Sequence, residues 1–101
     1  MDSRYDGKPL LRLLECYVLW AIGELASEQQ SLLEGMTPRL QTTYATQGKW
    51  QDVIAKAMGF PPNMPDLIRD MWARNQVTAQ TQGLSLPPQQ FAEIFVDRNL
   101  A

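Results

Sequence analysis

Apolar residues recur along this chain at helical spacing, and one stretch is apolar on nearly every face. Leu10 to Ala26 reads LLRLLECYVLWAIGELA, with only Arg12, Glu15 and Glu24 charged. A helix so poor in polar positions must be covered on most sides. It is therefore expected to be the central helix, with the other segments as its cover. At about 3.6 residues per turn, Leu10, Leu14, Tyr17, Val18, Ala21 and Leu25 form one broad apolar face. Leu13, Cys16, Trp20 and Gly23 form a second stripe beside it. Arg12, Glu15 and Leu19 mark the wettest remaining side. Pro9 suits the first turn, where its missing N–H is not needed.

Further along, Ser27 and Gln30 have the spacing of a capping box, which predicts a short helix to Glu34 with Leu32 and Leu33 inward. Gly35 is a natural stop. Thr37 and Pro38 restart a helix carrying Leu40 and Tyr44, or else the two pieces are one kinked helix. Lys49 to Met58 places Trp50, Val53, Ile54, Ala57 and Met58 on one face, and Gly59 closes it. Phe60-Pro61-Pro62 is an extended corner. Asn63 is the expected cap of the next helix, with Pro65 in its first turn and Asp66 closing a box. That helix runs to Gln80 or Thr81 behind an inward stripe of Leu67, Ile68, Met71 and Trp72, and thins past Asn75. Residues 83–88 read as a linker, and Pro88 to Arg98 as a last helix anchored by Phe91, Ile94 and Phe95. No segment alternates with period two. The expected fold is all-α: a compact bundle of five to six short helices around a buried N-terminal helix, without a sheet. Residues 1–8 are expected to be a polar tail of this one domain, 1–101.

Composition narrows the chemistry more than it changes the fold. The chain has no histidine, so the commonest general base and the commonest metal ligand are both missing. Its one cysteine excludes an intramolecular disulfide and a cysteine zinc site, and suits a reducing compartment. The acids do not assemble into a site. Asp66 and Asp70 share a helix face, but Asp70 also faces Arg74 in an ordinary surface pair. No glycine-rich phosphate loop is present. The expectation is a protein that is not an enzyme, with no cofactor, metal or catalytic residues. The N-terminus does not read as a signal peptide, and the longest charge-free apolar run, Cys16 to Gly23, is too short for a bilayer. A bacterial cytoplasm is the expected setting, with no membrane partner.

Gln51 to Arg69, QDVIAKAMGFPPNMPDLIR, carries a small residue at Ala55, a glycine at Gly59, and Ile54, Met58, Phe60 and Ile68 at apolar positions. The stretch resembles the helix-turn-helix of DNA-binding repressors over about a fifth of the chain. The resemblance implies a DNA-binding regulator that uses residues 51–74, with Arg69 and Arg74 on the exposed face of the second helix. The chain departs from the pattern at Pro65, which stands where the recognition helix should already be running. Asp66 and Asp70 lie among the arginines, and a net charge of −2 disfavours general nucleic-acid affinity.

The aromatic stripes point instead toward protein partners. Small residues at Cys16 and Gly23 would let a second helix approach, while Leu13 and Trp20 supply area. Phe91, Ile94 and Phe95 demand burial, yet their helix follows Pro87-Pro88. It either folds back on the first helix or reaches across to another subunit. Trp50 and Trp72 read as core, and Cys16 as a packed thiol rather than a redox sensor. The leading expectation is a non-enzymatic protein-interaction or regulatory module, most simply a homodimer. Its candidate interface residues are Leu13, Cys16, Trp20, Gly23, Phe91, Ile94 and Phe95.

Overall fold

A computed structural model describes residues 9–100, and the expected tail over residues 1–8 lies outside the described residues. Five helices follow one another: α1 (Pro9–Ala21), α2 (Ser27–Tyr44), α3 (Trp50–Met58), α4 (Met64–Thr81) and α5 (Pro88–Leu100). No strand occurs among the described residues. The radius of gyration, 14.0 Å, is near the roughly 13 Å of a folded chain this long. Among the described residues no helix is long and apolar enough to cross a membrane.

The first helix is the hub, and α3, α4 and α5 all pack on it, α5 most extensively. Its broad face is core as expected, with Leu14, Tyr17, Val18 and Ala21 buried. Leu11, Leu13 and Cys16 are buried too. The side expected to be wettest is wet only in part: Arg12 is exposed and Leu19 half-buried. Glu15 is only 3% exposed, because the start of α5 lies over it. The rest of the core comes from Leu33, Leu40, Trp50, Val53, Ile54, Ile68, Phe91, Ala92, Phe95 and Val96.

The helix ends correct the sequence reading in several places. The first helix stops at Ala21, not Ala26. Gly23 takes a left-handed φ of +76°, its N–H bonds the Trp20 carbonyl at 3.0 Å, and the Glu24 N–H bonds Leu19 at 2.8 Å. That paired closure is a Schellman motif. Glycine was thus a terminator and not a small residue on a helix face. The same closure ends α3 at Gly59 and α4 at Gly83, and it ends α2 at Ala45, an alanine with φ +51°.

Gly35 does not stop a helix. Ser27–Tyr44 is one continuous helix with Pro38 inside it. Thr37 donates to the Leu33 carbonyl at 3.1 Å, so this hydroxyl bonds back along the helix instead of capping a new one. The cap position before α2 is Ala26, without a side-chain cap bond, and Gln30 donates to Glu34 at 3.3 Å rather than closing a box with Ser27. Asn63 likewise makes no side-chain cap bond, and Asp66 accepts from Arg69 instead. The end of α4 is ordered to Thr81, and Gln76 donates to the Leu86 carbonyl at 2.9 Å, tying the linker down. Two leucines expected inside face out: Leu32, 62% exposed, and Leu67.

Candidate functional site

The second stripe of α1 is divided among several neighbours. Leu13 and Cys16 are buried within the chain, and the Cys16 Sγ accepts from Nε2 of Gln29 on α2 at 3.7 Å. Burial pushes the Cys16 thiol pKa up; the Arg12 charge pulls it down by less, and Glu15 pushes it up further. A neutral, enclosed thiol is a poor nucleophile. Trp20 is half-buried against Tyr17, with ring centroids 5.6 Å apart, and meets Trp50 edge-on at 6.0 Å. Tyr17 in turn packs on Phe60 at 5.6 Å. Burial raises the Tyr17 pKa, and the Asp52 charge adds to the effect. Gly23 lies beyond the helix, in its closing turn. The four residues therefore do not form a single helix face.

Glu15 was expected to be a solvated residue and is instead a junction. Its Oε1 accepts from Gln89 Nε2 at 2.7 Å and from Arg12 Nη1 at 3.3 Å. The pair fastens the first turn of α5 to the middle of α1. Beside it, Arg12, Cys16, Glu24 and Gln29 line a shallow cleft of about 370 Å³. Among the described residues no group of three His, Cys, Asp or Glu could hold a metal ion.

The last helix folds back on α1, so Phe91 and Phe95 are buried in their own chain. Ile94 is not; it remains 39% exposed. It stands on the lip of a groove between α4 and α5. Met64, Met71 and Asn75 supply one wall, Leu86 one end, and Phe91, Ile94, Phe95 and Arg98 the other wall. The cavity holds about 290 Å³. Trp72 braces it from behind, packed on Phe91 at 5.2 Å. Only Asn75 and Arg98 in that lining are polar. Asn75 is already donating to the Met71 carbonyl at 2.7 Å. Arg98 has no ion-pair partner among the described residues. Two thioethers beside two phenyl rings make an adaptable apolar surface with one cation at its rim.

Helical spacing marks Phe91, Ile94 and Phe95 as anchors but does not mark Met64, Leu86 or Arg98 as their neighbours. A signal was present: Met64 and Met71 are two turns apart on α4, and Arg98 is one turn beyond Ile94 on α5.

Of the two arginines of the helix-turn-helix reading, Arg69 is tied to α1, and Arg74 makes an exposed ion pair on its own helix. Arg69 donates from Nε to the Ala21 carbonyl at 2.8 Å and from Nη1 to Asp66 at 2.8 Å. This closes a free carbonyl at the end of α1. Arg74 pairs with Asp70 at 2.8 Å. The fourth helix begins at Met64, which puts Pro65 in its first turn, where proline is tolerated. The chain matches no protein-family model, no curated protein and no solved structure.

Proposed function

We propose that the protein is a non-enzymatic interaction module that works as a homodimer, and that the α4–α5 groove is its docking surface. One observation carries this reading: an apolar cavity of about 290 Å³ opens to solvent beside a half-exposed Ile94 and an Arg98 that has no ion-pair partner among the described residues. Apolar area of that kind is stabilised when a second apolar surface covers it. A peptide helix laid into a groove is a common way to do so. A cytoplasmic location fits a chain whose single cysteine is enclosed and has no second cysteine to pair with.

Sedimentation velocity over a range of concentrations tests the reading. The wild-type chain should associate, and Ile94→Glu should shift it to monomer while circular dichroism stays helical. Association that Ile94→Glu leaves unchanged would rule the groove out as the docking surface.

A DNA-binding regulator acting through residues 51–74 is the second reading. It has weaker support, because Arg69 is tied to the Ala21 carbonyl and Asp66 and Asp70 put negative charge beside both arginines. Fluorescence anisotropy with mixed-sequence duplexes at low salt decides it, since a phosphate-binding protein associates most tightly there.

A further inference from the structure

We infer that the occupant of the α4–α5 groove is the exposed ridge of α2 from a second copy of this chain, with Glu28 meeting Arg98. The inference rests on the docking role proposed for that groove and adds the identity of what fills it.

The ridge is a consequence of α2 being one helix. A continuous helix through Pro38 turns Leu33, Leu40 and Tyr44 inward and leaves Leu32 and Met36 outside, 62% and 38% exposed. They are one turn apart and stand above each other on one face. Glu28 precedes them by one more turn and has no side-chain partner among the described residues. Among the described residues, the other exposed large apolar side chains are Leu67 and Val77 on α4, Leu84 in the linker and Ile94 in the groove itself. None of those makes a pair one turn apart on a single helix. Among the described residues, only α2 offers such a knob pair with an acid at its head.

The groove has the matching dimensions and the opposite charge. From Glu28 to Met36 is roughly 12 Å along the helix axis, and from Arg98 back to Phe91 roughly 10 Å. When Glu28 meets Arg98, Leu32 therefore falls near Ile94 and Phe95. Met36 then reaches the end walled by Phe91 and Leu86. This register runs α2 antiparallel to α5. It sets the positive N-terminus of α2 by the negative C-terminus of α5, and both charged side chains already sit at the helix ends that favour them. Ridge and groove are different patches of the surface, so two copies close on each other only if the contact is made twice.

Sedimentation velocity of the full chain, with circular dichroism as a check on folding, tests this with five variants. Leu32→Glu should disperse the assembly as Ile94→Glu does. Glu28→Arg and Arg98→Glu should each weaken association about tenfold or more by opposing like charges, and the double variant should regain most of it. If Ile94→Glu disperses the assembly while Leu32→Glu does not, the groove is a docking surface but α2 is not its occupant, and the inference fails alone. If the charge-swapped pair is as weak as its single variants, the Glu28–Arg98 register is wrong. A wild-type chain that stays monomeric throughout overturns both the occupant and the homodimer.

Discussion

Gln89 and Glu15 lie 74 residues apart in the chain and 2.7 Å apart in space. That hydrogen bond joins the first turn of α5 to a carboxylate nine-tenths enclosed on α1. Removing the donor leaves the carboxylate buried with less to solvate it, an asymmetry that makes such losses cost about 1–3 kcal/mol. Gln89→Ala should lower the urea midpoint accordingly. Gln90→Ala, one residue along and exposed, should change it far less. Equal effects from the two would mean the bond contributes nothing specific.

The four Schellman closures make a matched set with one odd member. Gly23, Gly59 and Gly83 occupy the left-handed position freely, while Ala45 holds it against its own Cβ. Ala45→Gly is expected to stabilise the protein by about 1 kcal/mol, and Gly23→Ala to destabilise it by about the same amount. A Cβ at Gly23 would meet no atom within 4 Å. The cost at that position is therefore backbone strain and not a clash. Thermal unfolding of the two variants side by side measures both signs.

Alkaline pH should loosen the core before acid chemistry would suggest any reason for it. The Cys16 and Tyr17 pKa values are both raised by burial above their ordinary values of 9.0 and 10.0. A raised pKa means the folded state holds the proton longer than the unfolded chain does. Stability from these groups is complete below pH 9.0 and is lost as the pH rises through the folded values. Urea midpoints should fall from about pH 9 upward. Cys16→Ala should flatten the first part of that fall. The same burial should make the native thiol slow toward a disulfide reagent at pH 8, with full reactivity after denaturation.

The helices were legible because helical periodicity is a local property. Trp50, Val53 and Ile54 on α3, and Leu14, Val18 and Ala21 on α1, follow from spacing alone. What escaped depends on partners far away in the chain or on backbone angles. Glu15 reads as a solvated acid until Gln89 is placed over it. Gly23 in the run LWAIGELA reads as a small face residue until its φ is known. Leu32 and Leu33 are adjacent, so only one of them can face in, and the choice depends on whether the helix runs through Pro38. The groove was half legible. Phe91, Ile94 and Phe95 announced an apolar face, but its opposite wall belongs to α4, and no spacing rule relates Met64 and Met71 to Ile94.

The second helix leans chiefly on α3, whereas α3, α4 and α5 all lean on α1. Its attachment depends mainly on Leu33, Leu40 and Tyr44, and Pro38 interrupts its amide ladder. Such a segment can detach as a unit while the remaining four helices stay assembled. Amide hydrogens of residues 31–44 should therefore exchange through a lower-energy opening than those of residues 11–21. Association through this helix would then slow its own exchange most, and hydrogen exchange at rising concentration would show where the second copy sits.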